Sequence, residues 1–369
     1  MKNKLIKIIK KMRDYSIYIS RKKIELQNIK RKKHLVEKVN LSEKEEKEIS
    51  EYFKKNYGKK YSSKWHRLYQ SYTGNYDKKY YPEILFSTKL ESELNNREIA
   101  KILEDKSLVE LLYQNIDDLY FPETLVLNCS GIWYDGNRNI ITKEKAMSLL
   151  KNSGVKLWKK SVDSSSGRSI MITNIKNSID LNTKLTLKEL IEKYGENFIV
   201  QSCIENCKEI SKLYKDSLNT FRVITYTING KMYHVPLALR LGRSGKKVDN
   251  IHAGGMFIGV SDDGILKDRA FTEEQEVFEE HPDTHVKFKN YKIPKVRKII
   301  ELAYKCHGRT PHINIISWDF AIDNEDRIVL IEVNIIAQSI WFPQMANGVC
   351  AFGDNTEYML KLISNKKQM

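Results

Sequence analysis

Trp318-Asp319-Phe320-Ala321-Ile322-Asp323, followed after a short turn by Val329-Leu330-Ile331-Glu332-Val333-Asn334, is the stretch that decides how this chain is read. Two apolar runs of strand length flank Asp323-Asn324-Glu325-Asp326, residues that favour a tight turn. Ile313 to Ile322 and Arg327 to Val333 are therefore predicted to pair. Inside these runs sit Asp319 and Glu332, with Asn334 two residues beyond Glu332 and so on the same strand face. A carboxylate in apolar strand sequence is costly without a cation beside it. Asp, Glu and Asn oxygens suit Mg²⁺, which normally also holds substrate phosphates. Ordinary salt bridges at strand ends are the competing reading.

Cations occur in matching surroundings. Arg222, in Asn219-Thr220-Phe221-Arg222, and Arg240, in Arg240-Leu241-Gly242-Arg243, both lie in apolar strand sequence, where an Arg needs an anion. Phe221 to Ile228 and Met232 to Leu241 are predicted to form a hairpin around Asn229-Gly230. His252 stands beside Gly254-Gly255, where it would donate to phosphate, move a proton or simply cap a loop. Upstream, Val155 to Lys159 and Ile170 to Thr173 read as strands around the loop 161–169, which contains Ser164-Ser165-Ser166-Gly167-Arg168. Small residues let backbone N–H groups approach an anion, and a Lys on the leading strand reaches phosphate. A flexible surface hairpin has the same composition. The spacing is not that of a Walker loop.

Length and charge bound the rest. The 369 residues suggest two or three structural units, and 41% hydrophobic content supports a packed core. No uninterrupted apolar run of about 18 residues exists, so no bilayer span is expected. The Lys-rich start lacks the features of a secretory leader, and the five scattered cysteines do not look like a disulfide framework, so a cytoplasmic location is expected. Of the net charge of +16, residues 1–33 carry +11, from thirteen Lys or Arg against Asp14 and Glu25. Leu5, Ile8, Ile9, Met12, Tyr15 and Ile19 recur there at helical spacing. Three readings stay open: a helix whose stripe packs on the body, a surface for an anionic membrane, or one for nucleic acid. No nucleic-acid-binding signature accompanies the run.

Further helices are predicted from about Leu41 to Lys60 with a cap at Ser42, around Trp65 and Tyr69, over 91–116, from Thr142 to Asn152, near 186–194 and from Lys295 to Cys306. Thr124 to Leu127 and Phe198 to Gln201 read as strands, which makes the fold class α+β.

From about Pro82 onward the chain resembles the ATP-grasp proteins, and specifically their sugar-transfer-associated, teichuronopeptide-type branch. The resemblance rests on Asp105-Lys106-Ser107-Leu108, Lys159 with its Ser/Gly loop, Phe198-Ile199-Val200-Gln201 and Ser217 to Val223. It continues through Arg240-Leu241-Gly242, Val248 to Gly255, His281-Pro282-Asp283-Thr284, Trp318-Asp319 and Ile331 to Asn334. It implies two α+β subdomains clasping ATP, with a basic helical N-terminal extension. The divisions it suggests are 1–60 for the extension, 61–154 for an α+β lead-in, 155–205 for the lid, and 206–369 for the core with the metal site. Lys106 and Lys159 would hold ATP phosphates under a loop containing Ser165, Ser166 and Gly167. The hinge from Gln201 to Ile204 would bind adenine, with Glu205 near the ribose, and Asp319, Glu332 and Asn334 would bind Mg²⁺. Arg222, Arg240 and His252 would serve the reacting groups. Family members commonly carry Pro where Lys160 stands, and Lys159, directly after Leu157-Trp158, fits the phosphate contact better.

The implied activity is a Mg·ATP-dependent carboxylate–amine ligase that forms an amide through an acyl phosphate on a capsule or cell-wall glycan precursor. The expected partners are a sugar-nucleotide, oligosaccharide or lipid-linked glycan acceptor and an amino acid or other amine. The basic segment 1–33 would rest against the inner face of the membrane. A kinase on a glycan-related acceptor, or a non-catalytic ATP-binding protein, are the alternatives.

Overall fold

The computed structural model describes residues 2–162 and 170–364. Among them two sheets form, and non-local pairing decides which strand joins which. Leu119–Tyr120 is β1. The smaller sheet comes next in the chain: β2 (Thr124–Cys129), β3 (Ile132–Asp135), β4 (Ile140–Ile141) and β5 (Gly154–Lys160). Its remaining strands are β6 (Met171–Lys176), β7 (Ile179–Asp180) and β8 (Phe198–Ser202). They lie in the order β4-β3-β2-β8-β5-β6-β7. This sheet starts at Thr124, ahead of the boundary at 155 suggested by the sequence, because Val126 and Leu127 pair with Val200 and Ile199. Trp158, Phe198, Leu190 and Tyr194 pack its core. The helix Leu187–Tyr194 is fixed at its start by a reciprocal Thr186–Glu189 capping box.

The larger sheet takes the rest: β9 (Phe221–Ile228), β10 (Lys231–His234), β11 (Leu237–Leu241) and β12 (Met256–Val260). After them come β13 (Leu266–Thr272), β14 (Val277–Phe278), β15 (Ile315–Ile322) and β16 (Ile328–Asn334). The order is β1-β16-β15-β9-β11-β12-β13-β14, with β10 beside β9. β15 is buried along its whole length, hence its largely apolar sequence, broken only by Ser317 and Asp319. Trp318, Phe320 and Ile322 enter the core shared with Phe221, Val223 and the helix Val296–Gly308. Ile315, Ile224 and Tyr226 face the opposite core, built with the helices Glu43–Tyr57 and Thr356–Ser364. The side of β15 that carries Asp319 is therefore the side opposite Trp318.

Two expectations are corrected. The predicted strand from Met232 to Leu241 is split at Val235-Pro236, because Pro has no N–H to continue a ladder. The stretch 91–116 is not one helix but Glu91–Leu94, Arg97–Leu103, Lys106–Leu108 and Val109–Tyr113. Asn96 and Asp105 interrupt it by accepting the N–H groups of Glu98 at 3.0 Å and Ser107 at 2.8 Å, a turn geometry that competes with the helix. That interruption sets Lys106 on a short turn instead of a helix face.

The N-terminal helix α1 (Lys2–Arg31) meets the body through Arg21, which donates to the Ser87 carbonyl at 2.8 Å and to the Glu91 carboxylate, and through buried Ile29. Its apolar stripe does not pack on the body: Ile8, Met12, Tyr15 and Ile19 are exposed. No helix among the described residues is long and apolar enough to cross a membrane.

Asn95 ties the start of β15 to the chain beyond β16. Its side-chain N–H donates to the carbonyls of Ile315 at 2.8 Å and Ile335 at 3.1 Å, and its oxygen accepts from the N–H groups of Asn314 and Ile315, both at 3.0 Å. Gln338 also donates to both carbonyls, so replacing Asn95 by Ala leaves chiefly the N–H groups of Asn314 and Ile315 without that acceptor and is expected to destabilise the protein by about 1–3 kcal/mol. The check is the urea midpoint at unchanged slope; a midpoint equal to the parent's would contradict the assignment.

Candidate functional site

Strand register brings the polar residues of four strands together on one face of the larger sheet. Asp319 is paired with Glu332 on β16 and with Arg222 on β9, and Ala238 of β11 is opposite Arg222, so Arg240 lies two residues further on. Asp319 is only 1% exposed. Arg222 donates to it through Nε at 2.6 Å and through its terminal nitrogen at 3.3 Å, and Arg240 adds a contact at 3.0 Å. Burial would raise the Asp319 pKa, but the two guanidinium groups outweigh it and the carboxyl is held below its usual value. Arg240 also donates to Thr220 Oγ1 at 3.0 and 2.5 Å and faces Asp249 at 3.5 Å. Asp249, held by the Thr220 N–H at 3.0 Å and hydroxyl at 2.6 Å, completes a chain of alternating charge.

Glu332 links this cluster to a cleft between the two sheets. Its Oε1 takes Lys106 Nζ at 2.8 Å. The cleft is lined by Lys106 and Lys159, by Ile199 and Gln201 of β8, by Thr124 and Leu127 of β2, and by Leu330 and Ile331 of β16. Arg138, Glu110 and Asp135 line it too; cations beside apolar side chains suit a polyphosphate and a purine base. Lys106 is fixed by its backbone, whose N–H donates to the Ser161 carbonyl at 2.9 Å. Strand alternation aims Lys159 into the cleft and turns Lys160 away; Lys160 donates instead to the carbonyls of Tyr194 and, at 2.7 Å, Glu196. Burial and the nearby Lys106 lower the Lys159 pKa to about 8, against the opposing pull of Glu332.

The remaining sequence candidates fall into three groups. Gln201 lies in the cleft wall, donating to Pro122 and Thr124 at 3.3 and 3.1 Å, while its side-chain carbonyl has no partner among the described residues. Ile204 and Glu205 lie on the segment leaving β8; Glu205 accepts from Asn324 at 3.1 Å. Ser165, Ser166 and Gly167 lie outside the described residues. His252 is exposed and joined not to Asp319 but to Glu273, at 2.8 Å.

The sequence reading missed the surroundings of His252. Glu273 also holds Arg31 at 2.5 Å and Lys32 at 3.3 Å, both from the N-terminal extension, and its carboxyl sits at about 2: these cations and His252 overcome the burial that would raise it. Lys32 lies over the Trp341 ring at 4.6 Å, and Arg222 over the neighbouring Phe342 at 5.5 Å. Glu104 was missed as well. It accepts the N–H groups of Ile335 at 3.3 Å and Ile336 at 2.6 Å, fixing the chain just past Asn334. No local signal marks these roles: His252 and Glu273 are 21 residues apart, and Glu273 with Lys32 and Glu104 with Ile335 are separated by more than two hundred.

The residues fit a bound Mg²⁺. Glu332 and Asp319 supply hard oxygens, and the half-buried Asn334 has a side-chain nitrogen with no partner among the described residues. Amide O and N are interchangeable by a flip, so that orphaned group can present an oxygen ligand instead. Asp319 offers least, because three of its roughly four acceptor positions are already used by arginine. Cys207, Glu209 and Asp326 also gather within 4.8 Å, but a buried thiol does not suit Mg²⁺.

The family described as sugar-transfer associated ATP-grasp matches residues 85–358. Among solved structures, the chain is similar to the D-alanine-D-alanine ligase from Coxiella burnetii, with 9% identity, a TM-score of 0.40, and coverage of 73% of this chain and 59% of that one. It is similar also to the VanG D-Ala:D-Ser ligase from Enterococcus faecalis, with 15% identity, a TM-score of 0.41 and coverage of 74% and 62%. A third is carboxyaminoimidazole ribonucleotide synthase from Aspergillus clavatus complexed with ATP, with 10% identity, a TM-score of 0.36 and coverage of 64% and 45%. The chain thus spans about three fifths of the two ligases' lengths. Comparison with curated proteins gives no match.

The lowered Lys159 pKa has a testable sign. A polyphosphate binds the ammonium form, which is in place below about pH 8; above it, binding must draw in a proton. ATP affinity is therefore expected to be flat below pH 8 and to weaken by up to about tenfold per unit above it. In Lys159→Met the profile should be weak and flat. Calorimetric titration across pH 6.5 to 9.5 decides, and a Lys159→Met variant that binds ATP as tightly as the parent would remove Lys159 from the phosphate site.

Proposed function

Because the chain belongs to the sugar-transfer-associated ATP-grasp family, we propose that it is a Mg·ATP-dependent ligase that joins a carboxylate to an amine on a surface-polysaccharide precursor. The observation that carries this reading is the meeting of two charge systems at Glu332: the Lys106–Lys159 cleft on one side and the Arg222–Asp319–Arg240 cluster on the other. A nucleotide-binding protein alone would need only the first.

In the proposed reaction the acid's carboxylate oxygen attacks the γ-phosphorus of ATP, the bond to the bridging oxygen of ADP breaks, and an acyl phosphate forms. The amine nitrogen then attacks the carbonyl carbon. The C–O bond to phosphate breaks, and nitrogen loses a proton as the amide forms. Phosphate replaces a poor oxide leaving group, and the protein contributes positioning and charge. Lys106 and Lys159 neutralise the phosphate chain from the cleft floor. Gln201 and the segment through Ile204 and Glu205 border the base and ribose. Arg222 and Arg240, paired at rest with Asp319 and Asp249, face the negative charge that develops during transfer. Glu332 and Asn334, with Asp319, would hold Mg²⁺, which supplies further neutralisation of the phosphates. His252, set by Glu273 next to Trp341, belongs to the acceptor side of this arrangement.

The sugar-related acceptor rests on the family's description. The protein with Mg·ATP and a mixed panel of nucleotide-linked uronic acids, aminosugars and amino acids should release ADP only when acid and amine are both present. The product should be lighter than their sum by one water. ADP with an acceptor heavier by a phosphoryl group would make the protein a kinase and contradict the ligase reading. With an active pair in hand, Arg240→Met is expected to lower kcat by about 100-fold or more at nearly unchanged ATP affinity. Equal losses in affinity and kcat would place Arg240 on the nucleotide instead.

A further inference from the structure

We propose that α1 is a docking element for an anionic bilayer surface, lying in the headgroup region with its outer face down. Its two sides are occupied differently. The side toward the body is spoken for: Arg21 binds Ser87 and Glu91, Lys10 and Arg13 reach Glu98 at 3.4 Å, and Ile29 is buried. On the outer side Ile8, Met12, Tyr15, Ile19 and Leu26 recur at steps of four, three, four and seven residues, which places them in one line along the helix. All five are between 43 and 67% exposed. Lys11, Lys22, Lys23 and Lys30 flank that line, all exposed, and a shallow groove runs between Ile19, Leu26 and the last three.

Charge decides the occupant. A second copy of α1 would suit the apolar line by its spacing, but it would set Lys22, Lys23 and Lys30 against their own kind, where a paired helix needs opposite charges beside its seam. Nucleic acid would answer the cations and leave five apolar side chains in water, since its affinity comes from phosphate contacts. An anionic bilayer answers both, with an acyl boundary for the apolar line and headgroup charge for the lysines. The helix is too polar to span, so it lies along the surface. The apolar line from Ile8 to Leu26 runs about 27 Å at about 1.5 Å per residue.

The test is co-sedimentation of the full chain with vesicles of neutral phosphatidylcholine and of the same lipid with roughly one third phosphatidylglycerol. Binding to the anionic vesicles alone, released by roughly 0.5 M salt, is expected. The triple variant Ile8→Ser, Met12→Ser, Ile19→Ser should bind them at least about tenfold more weakly, because the apolar anchor is gone. The same variant should keep the parent's melting temperature and ATP affinity, since these exposed side chains belong to none of the packed cores. Equal binding to neutral vesicles, no binding to anionic ones, or a triple variant that binds as well as the parent would each overturn the proposal. So would a dimer, seen by analytical ultracentrifugation, that the triple variant abolishes.

Discussion

A carboxylate buried in the middle of a sheet is the constraint on which this protein turns. Asp319 stands on a strand hidden on both faces, with almost no contact with water. Left alone it would be protonated or would unfold its surroundings; removing one partner from such an ion pair typically costs about 3–5 kcal/mol. Arg222 and Arg240 prevent that, and they can do so only if β9, β15 and β11 adopt the register that puts all three side chains on one face. The same register sets Glu332 directly across from Asp319. One electrostatic requirement thus fixes four strands relative to one another and assembles the polar end of the cleft.

Charge is arranged differently in the two halves of the site. Around Asp319 each anion is paired with arginine. In the cleft, Lys106, Lys159 and Arg138 stand among Glu110 and Asp135, Glu332 holds Lys106, and burial leaves Lys159 holding its proton weakly. Ions that are already oriented do not have to reorganise when charge moves. The N-terminal extension is tied to the body through Arg31 and Lys32, which close on Glu273, the carboxylate that also holds His252.

Much of this is legible in the sequence wherever the determinant is local. The β15 and β16 runs, the Ser42–Glu45 capping box, the Asn229-Gly230 turn and the strand before the Ser/Gly loop all carry their reasons in neighbouring residues. Alternation alone separates Lys159 from Lys160 once β5 is placed. Arg222, Arg240 and Asp319 announce themselves as charges in apolar runs, but their mutual pairing does not, because it depends on strand order. The same limit hides the membership of β2 to β4 in the smaller sheet, and the meeting of Lys32 with Glu273 and Trp341. The stretch 91–116 misleads for a different reason: its apolar spacing continues through Asn96 and Asp105, whose side chains cap the start of a new short helix and so break the run.

The central claim is that phosphates and metal meet at Glu332. Calorimetric titration of ADP, with and without Mg²⁺, into the parent protein and Glu332→Gln tests it most directly. The parent should bind ADP more tightly with Mg²⁺. In Glu332→Gln that gain should vanish, while metal-free binding holds or improves because Lys106 has lost its competing carboxylate. An undiminished Mg²⁺ gain in Glu332→Gln would contradict the account.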